Sequence, residues 1–280
     1  MLQKVNDHMI IKKKIGIVAK KLNHSLSPFI HNHWARKNNN KFIYRKYEVQ
    51  EKKIDKFFDN YRRDKQFVGF NITIPYKEIF VGFCDKVTTR ANKIGSVNLI
   101  YKKNKTIFGD NTDVIGFSKT FNSLKIKNTK SVLLVGAGGA ARAILYFLNK
   151  KSIKNIDIFA TSMRREENLK KKFKFNRFLI RSTRLRKRYD LIINASSAGM
   201  TKKNKINRNI LNLVKKAKGV IDIVYNPIET DLLKKAKKHD IKYSGGLKML
   251  VEQAKPSYEI WSGNKIGIDR KIYQMLINKI

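Results

Sequence analysis

The chain has 280 residues, 42% hydrophobic and 10% aromatic, which suits one large or two ordinary domains with a real core. Four Pro, 15 Gly and the single Cys84 exclude a low-complexity scaffold and a disulfide-stapled module, and point to a reducing compartment. There are 62 Lys+Arg against 21 Asp+Glu, a net charge of +41 that raises the question of a nucleic-acid partner.

In chain order, Lys14–Ala19 reads as a buried strand, and Ser27-Pro28 opens a helix to about Lys37, with Pro in the first turn where its missing N–H is harmless. Phe42–Tyr47 is the next strand, Ile54–Tyr61 a helix, Phe67–Ile74 a third strand, and Tyr76–Phe83 another helix. Ser96–Tyr101 and Thr106–Phe108 flank the polar Lys102–Lys105 as a hairpin. After the polar Lys125–Lys130, Ser131–Val135 is a continuous apolar strand of the kind buried on both faces in a parallel sheet. A helix over Arg142–Lys150 follows, then strands at Ile156–Ala160, Asp190–Ala195 and Gly219–Val224, and helices at Leu247–Trp261 and Lys271–Ile280. Strands and helices alternate throughout, and the expected class is α/β. The expected organisation is a first domain over 1–124 and a second over 125–246, with the helices of about 247–280 packing back on the first.

The turn after Ser131–Val135 carries the firmest chemical signal. Gly136, Gly138 and Ala141 have the spacing G-x-G-x-x-A directly between an apolar strand and a helix. The first Gly permits the tight turn and the second lets the backbone approach a pyrophosphate. The helix N-terminus then offers free N–H groups and a positive dipole end. NAD sites usually place an acidic residue at the end of the next strand, for the ribose 2′-OH. Here that strand ends Phe159-Ala160-Thr161-Ser162, and Asp157 lies too early. Arg164 and Arg165 follow, a pair suited to a 2′-phosphate, so the expected cofactor is NADP; a solvated helix start is the plainer reading of the same two residues.

In the first half, Asn71–Lys77 and Gly109–Asp113 each place polar residues after an apolar strand, where α/β sheets bind ligands. A Lys and an Asp facing each other across a cleft can transfer protons, with the Asp orienting the ammonium; from spacing alone, turn and cap roles serve these residues equally well. His24, His31 and His33 have no Cys or carboxylate cluster near them in sequence and read as helix-entry and surface residues, so no metal is expected.

Taken together, the motifs resemble the shikimate dehydrogenase family over nearly the whole chain from about Ile15. The resemblance rests on His24-Ser25-Leu26-Ser27-Pro28 with His31-Asn32, Asn71–Lys77, Gly95-Ser96-Val97-Asn98 and Gly109–Asp113. It continues through Gly136–Ala140, Asn194–Met200, Asp222–Pro227 and Gly246–Gln253. It implies a substrate domain and a Rossmann-type NADP domain with the active site in the cleft between them, and reversible NADPH-linked reduction of 3-dehydroshikimate to shikimate. By position, Lys77 is the implied general acid/base and Asp113 its partner. Ser25, Ser27, Thr73, Asn98, Tyr225 and Gln253 complete the implied substrate set. Gly136, Ala137, Gly138, Gly139 and Ala140 are the implied pyrophosphate loop, Thr161, Ser162, Arg164 and Arg165 the implied 2′-phosphate region, and Ile223, Gly246 and Met249 lie near the nicotinamide.

Two departures stand out. Where the family usually has Gly-Asn-Pro-Ile, this chain has Ala19-Lys20-Lys21-Leu22, and the usual Asn-Arg-Thr is replaced by Ala160-Thr161-Ser162. The second change removes one Arg and leaves an NAD-preferring quinate/shikimate dehydrogenase as the enzymatic alternative. Residues before about Lys12 have no counterpart, and Met9 is an alternative start. A basic nucleic-acid-binding protein is the alternative from another class. Against it, Lys outnumbers Arg 47 to 15 and is scattered over every segment, whereas base-reading surfaces favour the planar Arg fork. The expected partner is therefore a small-molecule substrate, with no specific nucleic acid, and the assembly a monomer or homodimer. No run of about 18 apolar residues exists, and MLQKVNDHMIIKKK lacks a signal-peptide pattern, so a cytoplasmic location away from membranes is expected.

Overall fold

The computed structural model describes residues 13–180 and 183–280; Met9 and the N-terminal segment lie outside them. The first half comprises β1 (Lys13–Ala19), α1 (Ser27–Lys37), β2 (Phe42–Glu48), α2 (Ile54–Arg63), β3 (Phe67–Ile72), β4 (Lys86–Val87), α3 (Thr89–Ile94), β5 (Leu99–Lys103), β6 (Thr106–Asp110) and α4 (Asp113–Ser123). Its six strands form one sheet in the order β2-β1-β3-β5-β6-β4. β1 runs parallel to β2 and β3, while β5 runs antiparallel to β3 and β6. From Ile15 onward β1 is buried at every residue, as a central strand covered on both faces must be. α2 buries Ile54, Phe58 and Tyr61, one stripe at helical spacing, and turns its charged residues outward.

The second half comprises β7 (Ser131–Val135), α5 (Gly139–Lys150), β8 (Asn155–Phe159), α6 (Glu166–Lys170), β9 (Arg177–Leu179), β10 (Leu191–Asn194), α7 (Arg208–Leu213), β11 (Gly219–Asp222), α8 (Asp231–Lys238) and β12 (Lys242–Ser244). These strands form a sheet that is parallel throughout, in the order β12-β11-β10-β7-β8-β9. That is the doubly wound Rossmann order, with its switch point between β7 and β10. Two helices close the chain, α9 (Gly246–Ser262) and α10 (Arg270–Ile277). α9 leaves the second sheet and runs along the first half. Trp261 Nε1 donates to the Ile100 carbonyl at 3.2 Å, and Tyr258 Oη to the Trp34 carbonyl at 3.1 Å.

Two expectations from the sequence are corrected, and one helix is added to them. Tyr76–Phe83 is not an α-helix but a turn followed by a 3-10 helix over Ile79–Phe83. The Lys77 carbonyl accepts from the Val97 N–H at 2.8 Å, so a tertiary contact takes the acceptor that a helix would have used. The polar stretch ending at Asp113 opens a full helix, α4, an element absent from the strands and helices expected from the sequence. His31 is not a surface residue. It lies on the buried face of α1 with Ile30 and Trp34, stacked on Tyr44 at 4.3 Å between ring centroids. Complete burial lowers its pKa to about 3, so the ring stays neutral.

Candidate active site

The C-terminal ends of β1 and β3 face those of β7 and β11 across a cleft of about 690 Å³. Open α/β sheets bind ligands at this edge, because helix N-termini and short loops converge there. Lys77 follows β3 on its turn, and Asp113 begins α4, where the positive end of the helix dipole favours a carboxylate. Lys77 Nζ donates to Asp113 Oδ2 at 2.5 Å, with the side chains only 12% and 6% exposed.

The other carboxylate oxygen is also held. Asn98 Nδ2 donates to Asp113 Oδ1 at 2.7 Å, while Asn98 Oδ1 accepts from the Thr112 N–H at 2.7 Å. Gln253, reaching in from α9, accepts from Asn98 Nδ2 at 3.3 Å. Behind this pair lies a second buried chain. Tyr44 Oη donates to Asn71 Oδ1 at 2.8 Å, and Asn71 Nδ2 donates to the Asn98 carbonyl and to Ser257 Oγ, both at 3.0 Å. Burial pushes the Tyr44 phenol well above its ordinary pKa, which keeps it a donor.

Ser25, Ser27 and Thr73 line the same cleft from the first sheet, and Tyr225 lines it from the second. Tyr225 Oη donates to the His24 carbonyl at 3.3 Å, a contact that spans the mouth. Thus all eight residues expected to bind substrate meet in one cavity. Ala140, Ile223, Gly246 and Met249 line its other wall.

The glycine-rich loop adjoins this wall. Gly136 has φ +109°, and a Cβ there would sit 2.8 Å from the Ala195 carbonyl oxygen, so only glycine fits the turn. α5 then begins with no side-chain cap on its first N–H groups and no acidic residue in its first turn. Uncapped donors at a helix start suit an anion. Gly139 lies against the Lys77 stem, with a Cβ position 3.1 Å from Lys77 Cβ, so the loop touches the Lys77–Asp113 pair directly. Thr161, Ser162, Arg164 and Arg165 are exposed beyond β8 and do not line the cleft itself. Arg165 nonetheless reaches the loop, donating to the Ala137 carbonyl at 3.4 Å. Asp157, inside β8, is fully buried and neutralised by Arg177 Nη2 at 2.6 Å, Arg186 Nε at 2.8 Å and Tyr189 Oη at 2.7 Å. It has no free oxygen to offer a ribose.

Residues 17–100 match the family model described as the shikimate dehydrogenase substrate binding domain. The chain is 36% identical over 258 residues to a shikimate dehydrogenase (NADP+) of Caldicellulosiruptor bescii, covering 89% of each. This chain belongs to the shikimate dehydrogenase family. A shikimate dehydrogenase (NADP+) of Maridesulfovibrio salexigens is 33% identical over 270 residues, 96% of this chain and 98% of that one. Among solved structures, the shikimate dehydrogenase of Aquifex aeolicus superposes with a TM-score of 0.82 at 31% identity, covering 91% of this chain and 94% of that one. A shikimate dehydrogenase in complex with NADP+ gives 0.83 at 30%, covering 96% of each.

Against this family fold, sequence reading missed the residues that hold the pair rather than those that form it. Tyr44 and Ser257 are buried polar groups that no motif marked, and Thr112 was marked only as part of Gly109–Asp113, with no role of its own. Glu78 and Arg142 were also missed, and they bridge the two halves at 3.0 Å. Among the described residues no group of three or more His, Cys, Asp or Glu is placed to hold a metal ion. No described helix is long and apolar enough to cross a membrane.

Proposed function

We propose that the chain catalyses the reversible NADPH-linked reduction of 3-dehydroshikimate to shikimate. The observation that carries this reading is the Lys77–Asp113 pair at 2.5 Å, in a cleft between a substrate-type sheet and a Rossmann sheet. The relatives' names supply the substrate and cofactor, and a division into a substrate domain over 1–124 and a cofactor domain over 125–246 is part of the same proposal.

NADPH, when bound, supplies the hydride that reduces the ketone carbon. The chain's own work is proton transfer and positioning. Lys77 Nζ gives a proton to the ketone oxygen as it gains charge, and takes it back from the hydroxyl in the reverse direction. Asp113 keeps the ammonium aimed and accepts from a neighbouring ring hydroxyl. Ser25, Ser27, Thr73, Asn98, Tyr225 and Gln253 supply hydroxyl, amide and phenol groups, which suit a small polyhydroxylated acid because each can donate and most can also accept. The uncapped start of α5 fits the pyrophosphate. Ile223, Gly246 and Met249 form the wall beside the nicotinamide. With no acidic residue at the end of β8, Arg165 serves the 2′-phosphate and Arg164 assists it.

The test is one assay, shikimate with NADP+ or NAD+, read by absorbance of the reduced nicotinamide. Turnover with a higher kcat/KM for NADP+ is expected. No turnover with either cofactor overturns the reading, and a preference for NAD+ replaces it with the NAD-linked alternative.

A further inference from the structure

Glu78 follows Lys77 directly and uses both of its carboxylate oxygens across the cleft. Oε1 accepts from Arg165 Nη1 at 2.7 Å, and Oε2 faces Arg142 Nη2 at 3.0 Å. The two arginines differ in kind. Arg142, on α5, is 7% exposed and cannot leave without stranding a buried charge. Arg165 is 50% exposed, sits on the loop after β8, and has a second tether only to the Ala137 carbonyl. One contact is an anchor and the other is exchangeable.

We infer that Glu78 is a built-in competitor for the 2′-phosphate of NADP, holding Arg165 in the free protein and yielding it when the phosphate arrives. This rests on the reading of Arg165 as the 2′-phosphate ligand. Arg142 keeps the Glu78 carboxylate in place throughout, so the incoming dianion meets a fixed negative charge beside the guanidinium it needs. Binding must either break the Arg165–Glu78 pair or share one guanidinium between two anions. Both routes weaken NADP binding. NAD has no 2′-phosphate and leaves the pair intact. Glu78 therefore narrows the preference for NADP over NAD while tying the cofactor loop to the segment that carries Lys77.

The test measures dissociation constants for NADP+ and NAD+ by titration calorimetry, without turnover. An exposed ion pair is a modest competitor, so Glu78→Gln is expected to tighten NADP+ about two- to fivefold and to leave NAD+ unchanged. In an Arg165→Ala background the same change should have no effect on either. Should Glu78→Gln fold poorly, Glu78→Asp keeps the charge but is too short to span both arginines, and it should tighten NADP+ in the same direction. If either variant weakens or leaves NADP+ binding unchanged while Arg165→Ala still lowers the NADP+/NAD+ affinity ratio, Glu78 is only a strut between the two halves. Tightening that persists without Arg165 shows a general field effect and also overturns the hand-off. An affinity ratio untouched by Arg165→Ala removes the 2′-phosphate role of Arg165 itself, and the hand-off with it.

Discussion

Two buried aspartates, one in each half of the molecule, are held in opposite ways. Asp113 faces the Lys77 ammonium and takes a further bond from Asn98, so its charge is matched. Asp222, at the end of β11, is surrounded by neutral donors only: Thr230 Oγ1 at 2.7 Å, Asn194 Nδ2 at 2.9 Å and the Val224 N–H at 3.0 Å. The same contrast runs through both walls. On the substrate side Lys77, Asp113, Asn98 and Thr112 are already bonded to one another. On the cofactor side the first turn of α5 is uncapped, and Arg164 and Arg165 lie exposed. One wall is organised by the protein, and the other is completed by its ligand. Preorganised groups favour the transition state because they need no rearrangement at the moment of reaction.

The largest expected effect breaks the organised wall at its centre. Lys77→Ala should lower kcat about 10²–10⁴-fold and leave substrate affinity comparatively intact, since proton transfer is lost more than binding. Near-normal turnover would remove Lys77 from the chemistry. Asn98→Ala tests the support behind the pair. It frees one oxygen of Asp113 and leaves the Thr112 N–H without its acceptor. Turnover should fall about tenfold to a hundredfold through misplacement, with a loss of about 1–3 kcal/mol in urea unfolding. A change in KM alone would show that Asn98 touches substrate without positioning Asp113.

Asp222 sharpens the contrast through pH. Burial raises its pKa from 3.8 to about 6, against the pull of its three donors. A raised carboxylate pKa means that the folded state binds the proton more tightly than the unfolded state. The resulting stability is fully present below about pH 4 and is lost as pH rises through about 6. Relative to Asp222→Asn, the parent protein should therefore lose about 2 kcal/mol between pH 4 and pH 7. Parallel stability curves for the two proteins would show that the site is not a desolvated carboxylate.

The smallest effect belongs to the wall that the ligand completes. A Cβ at Gly138 meets nothing within 4 Å, and its φ of −88° is open to any residue. Gly138→Ala should change Tm little and weaken NADP+ about tenfold, because the added methyl stands where the pyrophosphate must approach the backbone. A large fall in Tm with unchanged affinity would make Gly138 a folding residue.

What was legible in the sequence follows the reach of the interactions. β7 announced itself as four apolar residues after Ser131, running into Gly136 and Gly138, since strand burial and turn geometry are written locally. α1 and α2 were legible for the same reason, through Pro28 and through the spacing of Ile54, Phe58 and Tyr61. The 3-10 segment after Lys77 was not, because its carbonyl is claimed by Val97 from twenty residues away. The short strands β4, β9 and β12 exist only through pairing with distant neighbours.

The sequence by itself determined the class of the fold, the glycine-rich turn, and the identity of the groups that could react. Composition, periodicity and motif spacing are properties of a chain segment and survive without the rest of the molecule. Tertiary structure alone decided that Lys77 and Asp113 meet at 2.5 Å, that His31 is core rather than surface, and that Glu78 divides itself between Arg142 and Arg165. Each of these depends on where two separate segments are carried by the sheets. Charge pairing and desolvation act through space, so residues far apart in sequence set them.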